Sequence, residues 1–478
     1  MKRSILVVVA LIAVLALGLP PVIGGMTQSS IETRIAGMNE NPVLALQVAD
    51  YSRGWFSSDA RIVVGLDEDY VAMLASGAPA DDPADSGIGE MLRGQQISID
   101  MDVWHGPVIL AEGFYIGLSK LHARFDDSDE IGAMITDELG MPYVAELRGQ
   151  LSFANTFSFT SNVPPIEYFY ESGQVSFSGL TADGSSRGAA LILDAAAEKL
   201  LIEAAGTALT FENFSMIADS TRVNSILWAG EFGSMVERIS VVNTLTGMGS
   251  LDLSGVSVVG STNLNDAGDL FDARVTYQVD ELNVPEEEMR LTDSQFTVSF
   301  GNISVAALTE YYETMLTMDM ADPAAAAMAL PPILASVLAN DPTVALDPLS
   351  FTLNGESLTA AVSLRTVNGD QGGFDLNNPL ALLGMLEASA SLTAAKALLE
   401  RLATQAAMAQ LGDGDAAQLP PGQDPETMAQ AQTELMIATF LGQGYIVDDG
   451  DNYSTDIQYA NGEIRVNGTP LPLGALMQ

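Results

Sequence analysis

The amino-acid sequence predicts an α+β fold: an N-terminal transmembrane helix, then a large, mainly antiparallel β-sheet domain with helices in its C-terminal half. Three observations lead to this fold class. They are an apolar run near the N-terminus, a recurring period-two alternation of apolar and polar residues, and helical spacing of apolar residues after residue 300. Together they predict an anchor over 1–25 and one β-rich domain over 26–478, with a helical insertion at about 380–442.

The N-terminal segment has the charge and hydropathy of an export or anchor signal. Met1-Lys2-Arg3 is basic, and it precedes an uninterrupted apolar run over 5–19. Residues 4–23 provide roughly the 20 positions that cross a hydrocarbon core, whereas the small residues needed for signal-peptide cleavage are poorly placed. We expect an uncleaved single-pass helix, with a cleaved signal peptide as the alternative. The basic start then places the body outside the cytoplasm, in the periplasm where the cell has two membranes.

The body of the chain is rich in segments that alternate with period two. Ile97, Ile99, Met101 and Val103 are separated by polar residues, which puts four apolar side chains on one face of a strand. The same pattern recurs at Phe157/Phe159, Val175/Phe177, Val275/Tyr277/Val279 and Phe296/Val298/Phe300. Clusters of Gly, Asn, Asp and Ser separate such segments, as at 182–186, so we expect antiparallel strands joined by turns.

Two Asn-Gly pairs predict tight hairpins. Asn354-Gly355 and Asn461-Gly462 each lie between two alternating segments. Asn-Gly is the pair that most readily adopts the two positive φ angles of a type I′ turn. We therefore expect a hairpin corner at each pair, the second of them close to the C-terminus.

Helices are predicted mainly in the second half of the chain. Residues 305–318 carry apolar side chains at three- and four-residue spacing, with Ser304 as an N-cap. The Ala- and Leu-rich segment 382–411 predicts a long helix. A further helix is expected over 424–442, with Asp424 as its N-cap. The last two would form a helical hairpin before the final strands.

The charge of the chain excludes some functions. There are 62 Asp+Glu against 19 Lys+Arg, which gives a net charge of −43, and only four of the cations are lysines. A nucleic-acid partner requires clustered Lys and Arg, so we exclude it. Electrostatic attraction to an anionic membrane fails for the same reason. An acidic surface with few lysines is expected of a protein adapted to concentrated salt, with a merely acidic secreted protein as the alternative.

No sequence pattern indicates catalysis. The chain has no cysteine, and its two histidines, His105 and His122, do not form a His-x-His or His-x-x-x-His ligand pair. His105 is the best candidate for acid–base or metal chemistry, although we favour a strand-end histidine bonded to backbone. The Asp-rich segment 448–452 resembles the start of a calcium loop but has Tyr459 where the loop requires Glu. We expect no catalytic residue, no metal site and no cofactor.

The most distinctive string of the chain follows the predicted anchor. It contains Arg53, Gly54, Trp55, Phe56 and Ser57. We expect this string to start a strand, with Gly54 as a bulge and with Trp55 and Phe56 covering opposite faces of the sheet. A ligand site is the alternative.

Together with the apolar N-terminus, this string resembles the YdgA-like family, bacterial envelope proteins defined by a domain of unknown function. His105-Gly106-Pro107 looks like the His-Gly-Pro element of that family, and Asn467-Gly468 is similar to its closing Asn-Gly. The resemblance covers nearly the whole chain and implies an inner-membrane-anchored periplasmic protein without assigned chemistry, in which these residues have structural roles. The scarcity of lysine and the long acidic or Ala-rich inserts depart from the family pattern.

Three functions are consistent with the sequence. The first is a non-enzymatic envelope protein whose sheet forms a concave surface or groove for a lipid, another hydrophobic ligand or an envelope protein partner; the 21 methionines favour an adaptable apolar surface. The second is an assembly module that forms a homodimer through the helices within 382–441. The third is a hydrolase with an unrecognised site. An open apolar groove would favour the first function, and a closed core would exclude it.

Overall fold

A computed structural model of the chain describes most of the residues that follow the predicted anchor. The described residues are 23–39, 44–67, 96–125, 130–170, 173–224, 226–243, 246, 248–317, 323–367, 384–412 and 425–471. The predicted anchor over 1–25 therefore lies outside them except for its last three residues. Within the described ranges, no helix is both long enough and apolar enough to cross a membrane.

The chain forms two compact units. Unit 1 comprises Met1–Glu237 and Thr309–Leu330, and unit 2 comprises Arg238–Leu308 and Pro331–Gln478. The sequence predicts one β-rich domain because no Pro- or Ser-rich linker divides the body. The boundary between Glu237 and Arg238 falls inside a strand, so no change in composition marks it.

Unit 1 is built on an antiparallel sheet. Its strands are β1 Leu44–Arg53, β2 Ser57–Leu66, β3 Gln96–His105, β4 Ser119–Phe125, β5 Ala145–Leu151, β6 Thr156–Val163, β7 Ile166–Tyr170, β8 Gly173–Phe177, β9 Leu180–Arg187, β10 Ala190–Ala204, β11 Thr207–Arg222 and the start of β12 Trp228–Asn243. Neighbours pair in the order β1–β2–β3–β4–β5–β6–β9–β10–β11. Strand β8 pairs on one edge with β7 and on the other with residues 200–204, at the C-terminal end of β10.

Unit 2 contains a second antiparallel meander. Its strands are β13 Met248–Leu264, β14 Leu270–Val284, β15 Met289–Ser304, β16 Thr343–Leu353, β17 Glu356–Thr366, β18 Leu386–Ala395, β19 Val447–Asp449, β20 Asn452–Ala460, β21 Glu463–Val466 and β22 Thr469–Leu471. Strands β13 to β18 pair in chain order, and β18 then pairs with β20. The other edge of β20 pairs with β19 and β21, and β22 follows β21.

One helix precedes the first strand, and the others lie between strands in the sequence. They are α1 over 23–38, α2 Glu130–Leu139, α3 Val305–Thr317, α4 Pro323–Leu338, α5 Lys396–Gly412 and α6 Pro425–Gly442, with a short 3₁₀ turn at Pro285–Glu287. Ser304 caps α3, since its Oγ accepts a hydrogen bond of 3.2 Å from the Ala307 N–H. The helix predicted over 305–318 is thus confirmed, as is the one ending at residue 442, although Asp424 lies outside the described residues.

The predicted hairpins and alternating strands are confirmed. Asn354 and Gly355 have φ angles of 52° and 88°, and Asn461 and Gly462 have φ angles of 54° and 75°. Both pairs therefore adopt the left-handed conformation that a type I′ turn requires. The alternating segments at 97, 157, 175, 275 and 296 all lie in strands.

Two predictions of secondary structure are wrong. Residues 182–186 lie within β9 and do not form a turn, and Leu386–Ala395 is a strand, so the predicted long helix begins only at Lys396. In β9, Gly184 pairs with Phe159, and its missing side chain makes room for the Phe159 ring. In β18, the small residues alternate as Ala and Ser across the sheet. In both segments the small side chains allow close packing between strands. The same residue types also favour turns or helices, so the local sequence alone does not show which structure they form.

Candidate functional site

Helix α1 lies on one face of the unit 1 sheet. Ile23 belongs to a buried cluster with Leu118 and Leu151, which also contacts Phe157. Farther along the helix, Ile31 packs against a second cluster. The members of that cluster are Ala60, Met101, Val103 and Ala123. The helix thus covers the middle of the sheet with one apolar stripe.

Helix α1 is not among the helices predicted from the sequence, although its buried residues have helical spacing. Ile23, Thr27, Ile31 and Ile35 follow one another at a spacing of four and form the stripe that faces the sheet. Thr27 interrupts the apolar pattern, and the stripe adjoins the predicted anchor. For these two reasons the segment resembles a polar continuation of the anchor.

The two strings that resemble the family motifs meet at one end of the sheet. Gly54, Trp55 and Phe56 form the turn between β1 and β2, which the Gly54 N–H closes by donating to the Ser57 C=O at 2.8 Å. The His105 N–H donates to the Phe56 C=O at 2.9 Å. We call this end of unit 1 the turn end; it comprises the loops 54–56, 106–118 and 152–155.

The predicted arrangement of Trp55 and Phe56 is wrong. The bulge in β1 lies between Val48 and Asp50, and Gly54 is part of the turn. Trp55 and Phe56 are both more than half exposed beyond the strand ends and cover neither face of the sheet. The tight closure around Gly54 is the reason, because it reverses the chain before either aromatic ring reaches a pleated position.

His105 joins the helix to the sheet at the turn end. It is the last residue of β3, as predicted, and only 2% of it is exposed. Its Nε2 lies 3.2 Å from the Ser58 Oγ. Its ring lies so close to Gly24 that a Cβ there would be 2.7 Å from Cε1. The glycine therefore lets the first turn of α1 rest directly on the imidazole.

The other residues of the two strings complete this junction. Arg53 extends along the first turn of α1, with Nη1 3.1 Å from where a Cβ on Gly25 would lie. Gly106 has a φ of 140° and donates its N–H to the Leu118 C=O at 3.2 Å, next to Pro107. These contacts position the helix and the loop.

The closing Asn467-Gly468 string lies in unit 2, at the turn between β21 and β22. The Asn467 side-chain amide donates to the C=O groups of Gly444 at 2.8 Å and Tyr445 at 3.2 Å. Its Oδ1 accepts from the Asp456 N–H at 2.8 Å. Asn467 therefore ties the terminal hairpin to the chain that leaves α6.

His122 forms a second polar cluster in unit 1, on β4. Its Nε2 lies 3.0 Å from Glu146 Oε2, and its Nδ1 lies 3.3 Å from Glu112 Oε1. Nearby, the Lys120 ammonium donates to the C=O groups of Ala111 at 3.0 Å and Glu112 at 2.6 Å. The cluster thus holds the tip of the loop 106–118 against β4 and β5.

The Glu146 carboxyl is the titratable group of this cluster that is clearly perturbed. Burial alone would raise the pKa of Glu146, but the hydrogen bond with His122 and the charge of Arg148 outweigh it. The net effect holds the pKa of Glu146 below its ordinary value. The carboxylate form is therefore the one that the folded state favours.

Two cavities flank α1 on the face that it covers. The larger has a volume of about 1180 Å³, and the smaller has a volume of about 370 Å³. The larger is lined by, among others, Met26, Phe153, Phe157, Phe159, Leu191 and Trp228. The smaller is lined by, among others, Ile31, Ile35, Leu46, Val64, Ile99 and Phe125. Sites that hold small molecules measure roughly 300–1,000 Å³ and are mostly apolar, as these are.

Arg34 lies where the two cavities adjoin and lines both of them. Its guanidinium donates to the Ser186 Oγ at 2.8 Å and to the Asn155 C=O at 3.3 Å, and it lies 5.5 Å from the centre of the Phe157 ring. Burial lowers the pKa of Arg34 from its ordinary value. Among the residues with described positions, no carboxylate lies within ion-pair distance of this guanidinium.

The geometry defines a sheet-rich protein whose first unit holds an apolar site under a helix. The chain belongs to a family of bacterial proteins of unknown function, DUF945, whose model matches residues 1–474. It is similar to Protein YdgA of Escherichia coli (strain K12), with 23% identity over 480 residues that cover 94% of this chain and 88% of that protein. No solved structure matches it. The resemblance to the YdgA-like family is thus confirmed.

The contact between Gly24 and His105 predicts an asymmetry between two glycines of α1. Gly24→Ala should lower the free energy of unfolding by about 1–3 kcal/mol, because the new methyl group overlaps the imidazole. Gly37→Ala is the matched control, since its nearest contact would be an ordinary 3.5 Å from Arg222 Nη1. We expect that control to be neutral or slightly stabilising, because alanine favours helix.

Urea unfolding of the two variants measures this difference. Gly24→Ala should destabilise a His105→Ser protein less than it destabilises the unaltered protein, because the smaller side chain removes the overlap. Equal destabilisation by both glycine variants would contradict the direct contact between α1 and the His105 ring.

The lowered pKa of Glu146 predicts a pH-dependent contribution to stability. A folded-state pKa below the unfolded value of about 4.3 stabilises the protein above that value, and the stabilisation is lost as the pH falls through the folded-state pKa. Glu146→Gln should therefore lower the free energy of unfolding by about 1 kcal/mol at pH 7, and the difference should shrink towards pH 3. Urea denaturation of both proteins at pH 7 and pH 3 tests this expectation. A difference in the free energy of unfolding that grows on acidification would contradict it.

Proposed function

We propose that this protein is a non-enzymatic, inner-membrane-anchored periplasmic protein of the bacterial envelope. We propose further that unit 1 binds an anionic single-chain amphiphile, such as a fatty acid, in the cavities beside α1. The observation that carries the proposal is an apolar cavity system in which Arg34 lies between the two parts, while a second arginine, Arg222, lines the larger part.

The anchoring proposal is supported by the sequence before α1. Lys2 and Arg3 precede the apolar run over 5–19, and the family match begins at residue 1. A basic start followed by such a run orients a segment with its N-terminus in the cytoplasm. The two units would then lie on the outer side of the membrane.

The lining of the cavities supports a hydrocarbon ligand. Aromatic and aliphatic side chains from α1 and from the sheet line both cavities. Burying an alkyl chain against them contributes roughly 0.8 kcal/mol for each CH₂ group removed from water. The smaller cavity is mostly apolar, with Glu146 and Arg34 in its wall, so it suits the distal part of the chain. The larger one suits the part nearer to a head group.

Arg34 supports a negative charge on the ligand. The chain carries a net charge of −43, yet this guanidinium is bonded to a hydroxyl, a carbonyl and an aromatic face. Arginine stays protonated when it is partly buried, and a desolvated charge is stabilised by an opposite charge. A carboxylate or phosphate at the junction of the cavities would accept from the remaining N–H groups of the guanidinium fork.

Binding of a fluorescent fatty acid tests this proposal. The full chain, held in amphipol, should bind 11-(dansylamino)undecanoic acid and increase its fluorescence. Arg34→Met should weaken this binding about tenfold or more, which corresponds to about 1.4 kcal/mol, because it keeps the length of the side chain but removes the charge. Arg61→Met is the matched control, because Arg61 pairs with Asp100 on the exposed face of β2 and β3.

The uncharged dansylundecanamide separates the contribution of charge from that of the hydrocarbon. It should bind the unaltered protein and Arg34→Met with similar affinity. If the acid binds both proteins equally, the role of Arg34 is refuted. If neither probe binds the unaltered protein, the whole ligand proposal is refuted.

A second candidate function is homodimerisation through helix α6. Leu435 on α6 is 70% exposed, and Met436 and Phe440 on the same helix are exposed as well. Single apolar side chains are common on surfaces, but several on one helix favour a partner.

Light scattering of the full chain decides whether this second candidate is correct. Leu435→Glu should halve the mass of the particle if α6 forms a dimer interface. Gln430→Glu, which adds the same charge to an exposed position on another side of α6, should leave the mass unchanged. A monomeric unaltered protein would eliminate this candidate.

A further inference from the structure

The turn end of unit 1 presents an exposed apolar surface. Six of its large apolar side chains that are more than half exposed are Trp55, Phe56, Leu110, Phe114, Ile116 and Phe153. We call this set the turn-end surface. An apolar group of this size at a single end of a sheet marks an interaction site.

Hydrogen bonds between the three loops make the surface continuous. The His105 N–H donates to the Phe56 C=O at 2.9 Å, which joins the first loop to the start of the second. The Leu118 N–H donates to the Leu151 C=O at 2.8 Å, which joins the end of the second loop to the third. The six side chains therefore extend from one set of adjoining strand ends.

The loop 106–118 contains a small hydrogen-bonded hairpin. Ile109 and Tyr115 exchange two backbone hydrogen bonds of 2.9 Å, and Ile109 is buried. Alternation along this small hairpin then exposes the neighbours of both residues, among them Leu110 and Phe114. Lys120 and His122, on β4, contact the tip of this hairpin at Ala111 and Glu112. The hydrogen bonds of the hairpin and of its tip thus keep Leu110 and Phe114 directed outward.

The turn end is also almost free of charge. Across the loops 54–56, 106–118 and 152–155, the one charged side chain is Glu112, whose carboxylate is turned towards His122 at 3.3 Å. The rest of the chain is strongly acidic. An acidic surface is repelled by anionic lipid head groups, whereas an uncharged aromatic surface is not.

We propose that the turn-end surface rests in the head-group region of the lipid bilayer. This inference relies on the anchoring part of the proposed function. The first turn of α1 contacts His105 and Arg53 at this same end. From Leu19, the last residue of the apolar run, to Ile23 the chain spans at most about 14 Å, even when fully extended. A membrane-inserted run therefore brings the turn end to the bilayer surface, where aromatic side chains are favoured.

This orientation also gives the larger cavity access to lipid. Phe153 belongs to the turn-end surface and also lines the larger cavity, and Asn155, in the same loop, lines that cavity too. An amphiphile leaving the outer leaflet would thus pass Phe153 and reach Arg34 without crossing bulk water.

Spin labels test the proposal directly, because the chain has no cysteine. Phe114→Cys and Phe169→Cys each provide one labelling site. Both phenylalanines are 70% exposed. Phe169, however, lies on β7, which β8 joins to the C-terminal end of β10, away from the turn end. The full chain is reconstituted in vesicles of phosphatidylethanolamine and phosphatidylglycerol. The label at residue 114 should collide several-fold more with oxygen and several-fold less with aqueous nickel chelate than the label at residue 169.

A charge substitution provides a second measurement. Adding Leu110→Glu to the Phe114→Cys chain should shift its label towards the aqueous values, whereas adding Glu167→Gln, on β7, should not. Equal accessibility at residues 114 and 169 in vesicle-bound protein overturns the proposal, and so does a chain that fails to stay with the vesicles. Binding of the dansyl fatty acid in amphipol requires no bilayer, so its failure is distinct from either outcome.

Discussion

The contact of the α1 backbone with the His105 imidazole determines much of the architecture of unit 1. A buried histidine at the end of β3 is acceptable because Ser58 bonds its ring and Gly24 allows the helix to cover it. The helix direction that follows from this contact places its stripe of four-spaced residues on the sheet. Since one narrow helix cannot fill the whole face, apolar space remains on both of its sides, and Arg34 projects into that space.

The distribution of charge distinguishes the faces of the protein. Cross-strand pairs such as Arg61–Asp100 and Arg365–Glu387 occupy exposed positions, where each contributes little to stability and is screened by salt. Stability therefore depends on the strand ladders and on the buried clusters. The scarcity of acidic side chains around the cavities and at the turn end is informative because the rest of the chain is so acidic.

Sequence patterns predicted the elements whose cause is local. The strands with period-two alternation, the two Asn-Gly hairpins and the capped helix α3 all depend on residues within one short window. The predictions at 182–186 and 386–395 were wrong because Gly, Ser and Ala have more than one structural use there. Gly184 accommodates the ring of Phe159, a residue of another strand, so its role depends on a long-range contact.

The sequence by itself determined the mainly antiparallel β-rich character of the fold and the membership of a bacterial family. These properties follow from periodicity and motifs, which do not depend on how distant segments meet. Only the tertiary structure decided that the strings at 53–57 and 105–107 form one junction under α1, and that Arg34 lies between two apolar cavities. The physical reason is separation along the chain: Arg34 and its partner Ser186 are 152 residues apart, and only the folded sheet brings them together.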